Sequence, residues 1–167
     1  LTKDTTPDVV ITTSEVGTIA VGGTAGCGLS STATMASGAN TVTLSTGADK
    51  AYTCTITFTD AAGNAAGALT LTAFTLDTTV ATPSETTVVS TPNKDTTPDV
   101  VITTSEVGTI AVGGTTGCGL SSTATMASGA NTVTLTTSGD QAYTCTITFT
   151  DTAGNAAGAL TLTAFTI

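Results

Sequence analysis

The sequence predicts an all-β protein built from two tandem Greek-key β-sandwich domains, and three observations carry that expectation. Threonine fills 46 of the 167 positions. Its β-branched side chain is stiff at χ1 and suits a pleated sheet better than a helix. Short stretches alternate apolar and polar residues, the period-two signature of a half-buried antiparallel strand. Finally, residues 3–76 recur as residues 94–167 at a constant offset of 91, without a gap.

The repeat sets the domain organisation. Only seven of the 74 aligned positions differ: Ala25/Thr116, Ser45/Thr136, Gly47/Ser138, Ala48/Gly139, Lys50/Gln141, Ala61/Thr152 and Leu76/Ile167. Most are small or polar exchanges, so both copies are expected to share one fold. A period of this length is too long for a solenoid coil and right for an independent sandwich. Residues 1–76 then form the first domain, and residues 77–167 a linker plus the complete second repeat. Between the copies, Asp77 to Pro83 reads as linker, and Glu85 to Ser90 as a strand bounded by Pro83 and Pro92. That strand is assigned to the second domain. Only Leu1 and Thr2 precede Lys3, so either the chain is an excerpt from a longer array or the first domain lacks this strand.

Within one copy the strand signals come in quick succession. Asp8 to Ser14 follows Pro7, and Gly17 to Gly22 places Ile19 and Val21 on one face. Thr32 to Met35 reads as a short edge strand. Thr41 to Leu44 follows a Ser-Gly-Ala-Asn turn and sets Val42 and Leu44 inward. Ala51 to Asp60 is the cleanest: Tyr52, Cys54, Ile56 and Phe58 face one way, and four threonines face the other. Ala68 to Leu76 closes the copy.

Charge narrows the partners. Twelve acidic residues against three lysines give a formal net charge of −9. Nucleic acid and anionic membrane surfaces need clustered Lys or Arg, so neither is an expected partner. No apolar run is long enough to span a bilayer, and no membrane insertion by this segment is expected. There is no His and no Arg, and no nucleophile stands beside a base, so no enzyme is expected. The regular Thr-x-Thr runs read as exposed strand threonines rather than an ice-binding face. Carbohydrate binding has no aromatic platform, since Tyr52 and Tyr143 both read as core.

Cys27 and Cys54 recur as Cys118 and Cys145. Four cysteines allow three pairings, and the duplication favours one bridge inside each copy. Such bridges imply an oxidising compartment, hence an extracellular or cell-surface location. Tyr52 and Tyr143 each stand two residues before a cysteine. That is the tyrosine-corner spacing of immunoglobulin-like domains, in which the hydroxyl bonds to upstream backbone.

The runs DTTPDVVITTSEVGTIAV and CTITFTDAAGNAAGALTLTAFTLDTT together resemble the bacterial immunoglobulin-like (Big-type) tandem repeats of cell-surface and secreted adhesins. The resemblance covers essentially the whole chain. It implies immunoglobulin-like domains that act as spacers holding a binding domain away from the cell. Two points depart from antibody domains: there is no core Trp, and Cys27 follows the presumed third strand. In some such repeats calcium stiffens the domain junctions, which would make Asp60, Asp77 and Asp95 the candidate ligands here. Turn chemistry is the competing reading, because Asp, Asn and Gly stabilise tight turns without metal. No cofactor is otherwise required.

Two functional expectations follow. One is a structural spacer of an extracellular, adhesin-like protein. The other is a subunit of a self-assembling filament, joined by strand donation or head-to-tail packing. The expected partners are further copies of the same repeat, in cis or in trans, with any other ligand unknown.

Overall fold

In the computed structural model, which describes all residues Leu1–Ile167, the chain is all-β and divides into two compact units, Leu1–Thr78 and Thr79–Ile167. The first unit contains β1 (Asp8–Thr13), β2 (Gly17–Gly23), β3 (Gly28–Leu29), β4 (Thr34–Met35) and β5 (Gly38–Ser45). It continues with β6 (Lys50–Tyr52), β7 (Cys54–Asp60), β8 (Leu69–Thr70) and β9 (Phe74–Leu76). Its strands pair antiparallel in the orders β1-β5-β3, β4-β2-β7-β8 and β6-β9. The arrangement is sandwich-like, with apolar side chains of the sheets enclosed between them. Val42, Leu44, Tyr52, Cys54, Ile56 and Leu76 are all 2% exposed or less.

The second unit adds one strand at its start, β10 (Ser84–Thr87). It continues with β11 (Asp99–Thr104), β12 (Gly108–Gly114), β13 (Gly119–Leu120), β14 (Thr125–Met126) and β15 (Gly129–Thr136). The last four are β16 (Ala142–Tyr143), β17 (Cys145–Asp151), β18 (Leu160–Thr161) and β19 (Phe165–Thr166). Its sheets repeat those of the first unit, except that β10 extends one of them to β10-β11-β15-β13.

Several strand limits differ from the sequence reading, each for a local reason. The stretch Ala51–Asp60 is two strands, not one. Tyr52 pairs with Phe74 on β9, while Cys54 pairs with Gly23 on β2, so the chain changes sheets at Thr53. Thr24 stitches the crossing: its amide donates to the Thr53 carbonyl at 3.0 Å, and its hydroxyl accepts from the Thr53 amide at 2.9 Å. The close approach needs glycine at position 23. Its φ is +102°, and a Cβ there would lie 2.3 Å from the Thr53 carbonyl oxygen. Strand β5 starts at Gly38, earlier than expected. The Asn40 side-chain amide holds Ala36 through both its N–H and its C=O, so the turn is confined to Ala36-Ser37. The short β3 carries no periodic signal and was not anticipated.

Cys27 bonds to Cys54 and Cys118 to Cys145, each with Cα atoms 5.7 Å apart. This is an ordinary disulfide span. Beside each bridge a fully buried tyrosine stacks on a phenylalanine, Tyr52 on Phe74 and Tyr143 on Phe165, with centroids 5.5 Å apart. The Tyr52 hydroxyl donates to the Ala48 carbonyl at 2.8 Å and accepts from the Gly47 amide at 2.9 Å. The Tyr143 hydroxyl accepts from the Ser138 amide at 2.8 Å and faces the Ser138 carbonyl at 2.6 Å. The Lys50/Gln141 exchange keeps one contact: Lys50 Nζ donates to the Ala25 carbonyl, and Gln141 Nε2 to the Thr116 carbonyl.

The geometry yields a stability prediction. Tyr143→Phe leaves the Ser138 amide without its acceptor and costs the second unit about 1–3 kcal/mol. Replacing Cys118 and Cys145 with serine together costs about 2–4 kcal/mol. Denaturant unfolding of the variants against the parent chain measures both.

Candidate functional site

Chemistry in this chain has few places to reside. All four cysteines are in disulfides, and no three Asp, Glu, His or Cys residues form a group able to hold a metal ion. The Asp60 and Asp95 carboxylates sit in their own turns. Asp60 Oδ1 accepts from the amides of Ala62 at 2.9 Å and Asn64 at 2.8 Å, and Oδ2 accepts from the Asn64 side chain at 2.8 Å. Asp95 Oδ1 accepts from the Thr97 amide at 2.9 Å and the Thr97 hydroxyl at 3.0 Å. The Asp77 amide donates to the Thr2 carbonyl at 2.9 Å. Asp60 and Asp77 belong to the first unit and Asp95 to the second.

The turn bonds shift acidity. The Asn64 side chain, followed by the Asn64 amide, holds the Asp60 carboxyl below its ordinary 3.8 despite some desolvation. At Asp151 burial is the largest influence and favours the neutral form. The donors of Asn155, Ala153 and Gly154 together outweigh it, so this carboxyl also lies below 3.8. Hydrogen bonds to the charged form are the physical cause in both turns.

The distinctive site is a groove in the first unit of about 260 Å³, lined by Ile11, Thr13, Ile56, Phe58, Ala66 and Leu69 among others. It opens beside β1, whose only strand partner is β5. Its walls are more open than those of their repeat counterparts. Val100, Ile102 and Phe149 are 0% exposed, whereas the equivalent Val9, Ile11 and Phe58 are only part-buried. Val10 is 67% exposed and Leu69 50% exposed.

The second unit shows what closes this region. Strand β10 pairs antiparallel with β11, setting Ser84 opposite Thr103, Glu85 opposite Ile102 and Thr87 opposite Val101, with a register shift between Glu85 and Thr87. Flanking residues complete the cover: Val80 and Ala81 pack on the core, and Val89 is buried within it. Polar bonds fix the segment along its length. The Asn155 side chain donates to the Thr79 carbonyl at 3.0 Å, and the Ala81 amide to Glu106 at 2.7 Å. Glu85 Oε2 accepts from both the amide and the hydroxyl of Thr163 at 2.8 Å. Sequence reading marked residues 85–90 as a strand. The strand formed is Ser84–Thr87, and the reading missed that Val80 and Ala81 also seal the unit, because isolated apolar residues in a Thr-rich linker carry no period.

Compared with known proteins, the chain matches no family model and no curated sequence.

Two measurements test this description. The first unit should unfold before the second, since each kcal/mol of lost burial lowers the midpoint of a domain this size by about 4–8 °C. Calorimetry should therefore resolve two transitions. The depressed acidities of Asp60 and Asp151 also define a pH window. Their folded values lie below the unfolded ones, so the stabilisation is present above pH 3.8 and is lost as pH falls through the folded values. Asp151→Asn should accordingly lower the melting temperature at neutral pH, and the difference from the parent chain should shrink in acid.

Proposed function

We propose that the chain is a pair of immunoglobulin-like structural repeats serving as a spacer in an extracellular, adhesin-like protein. The observation that supports it most is duplication of one structural unit. Each copy carries its own apolar core, its own disulfide and its own buried tyrosine, and no convergent catalytic groups accompany them. The two disulfides fit an oxidising, extracellular environment, and no helix of the chain is long and apolar enough to cross a membrane. The tyrosine hydroxyls bond to backbone four or five residues upstream, the arrangement expected of a tyrosine corner. Together with the Big-type resemblance, this favours the immunoglobulin-like reading over an unrelated sandwich.

Stretching single molecules between their termini tests the role. A spacer resists load, so two unfolding events should appear, each shortened by the loop that its disulfide locks. Each bridge spans 27 residues of sequence, so reduction should lengthen each event by roughly 90 Å of extended chain. Extension without resistance, or events unchanged by reduction, would contradict the spacer reading.

A further inference from the structure

We propose that Asn155 takes the place of a cation: its side-chain amide clamps the chain at Thr79, where the chain enters the second unit, so that this entry is held without a metal ion. The inference rests on the spacer reading for its purpose only, since a spacer must hold firm where its repeats are joined.

The clamp stands on a preformed base. Asp151 ends β17, pairs with Gly108 on β12 and is 7% exposed. Its amide donates to the Asn155 carbonyl at 3.0 Å, and its Oδ1 accepts from the Asn155 amide at 2.9 Å. The Asp60–Asn64 turn of the first unit repeats these bonds at 3.0 and 2.8 Å. The turn therefore closes on itself, and the bond to Thr79 is an addition to it. Thr79 lies outside the duplicated stretch, so the clamp reaches a linker residue rather than a neighbour within the repeat.

The gripping group is the Asn155 carboxamide. A primary amide has two N–H donors. One donates to Asp151 Oδ2 at 2.9 Å, the other to the Thr79 carbonyl at 3.0 Å. Two residues on, the linker is held by its amide as well. Ala81 donates to Glu106 Oε2 at 2.7 Å, and the Glu106 amide donates to Thr104 Oγ1 at 3.3 Å. The entry is thus gripped once at a carbonyl and once at an amide, by two separate loops of the unit.

A carboxylate oxygen beside a backbone carbonyl oxygen is the kind of pair that a calcium ion gathers. Here the Asn155 N–H groups stand between the two oxygens instead. Both Asp151 oxygens accept from Asn155, and hydrogen bonds to an ionised acceptor are stronger than neutral ones. A carboxylate in place of the amide would reverse the site. Oxygens would then face oxygens and repel, and a cation would be needed to join them.

Backbone amide relaxation measured by NMR on the full chain tests this, read at Thr79, Val80 and Ala81. Their order parameters should match those of β12 and β17, at about 0.85, and be the same in chelator and in millimolar calcium. Asn155→Ala should lower them below about 0.6 with β12 and β17 unchanged. Asn64→Ala, the equivalent change in the first unit, should leave them high. Asn155→Asp should lower them in chelator and restore them when calcium is added, a response that a merely structural asparagine would not produce. Four results would each overturn the proposal: a mobile entry in the parent chain, a parent that stiffens with calcium, an Asn155→Ala chain that stays rigid at 79–81 or loses order throughout β12 and β17, and an Asn155→Asp chain indifferent to calcium. The measurement is made without load, so its failure leaves the spacer reading standing, and failure of the stretching experiment leaves the clamp standing.

Discussion

The crossing of one strand from sheet to sheet, at Tyr52-Thr53-Cys54 and again at Tyr143-Thr144-Cys145, is the constraint on which both units depend. Tyrosine pairs into one sheet and cysteine, two residues on, into another. A chain that turns so sharply exposes backbone groups, and those groups must find partners. Thr24 and Thr115 take up that role at the crossing, bonding the Thr53 and Thr144 amides at 2.9 Å. The disulfide then ties the crossing to the loop before β3 or β13, and the tyrosine hydroxyl ties it to the turn before β6 or β16. Three kinds of bond therefore converge within three residues. This compensates for cores that contain no Trp and few aromatic rings.

With that frame fixed, what separates the two units is completion rather than design. The same side chains at equivalent positions are sealed in one unit and part-exposed in the other, because only one has the segment 79–92 across its edge. Phe149 and Phe58 make the point: identical residues on identical strands, one fully buried and the other not. Burial of apolar surface is the principal term in sandwich stability. An edge strand thus contributes more than its own few hydrogen bonds, since it also closes the space between the sheets.

The sequence made some of this legible. Alternation in TCTITFTD identified the inward faces of β7 and β17, where Cys54, Ile56, Cys145 and Ile147 are buried. The exact repeat announced two copies of one fold. Less visible was the break at Thr53, because a strand that changes sheets keeps its alternation and only its partners change. β3 and β13, two residues each, are too short to show any period. The groove was foreshadowed only as an unmatched strand. Its walls are ordinary strand residues, and whether they are covered depends on partners that no local pattern encodes. The acidic turns read in sequence as turn formers first and as calcium ligands only through the family resemblance, since both uses need oxygens on a tight loop. In the structure, the Asp60 and Asp95 oxygens accept hydrogen bonds from their own turns.

The central claim is that the segment 79–92 closes the second unit along β11, whereas β1 of the first unit is paired on one side only. Residue-resolved amide hydrogen exchange under native conditions tests it most directly, by comparing Val9–Thr13 with Val100–Thr104. Strand β11 is paired on both sides, by β10 and β15, whereas β1 is paired only by β5. The account predicts markedly faster exchange in β1 than in β11, with β7 and β17 far more alike. Equal protection of β1 and β11 would contradict it.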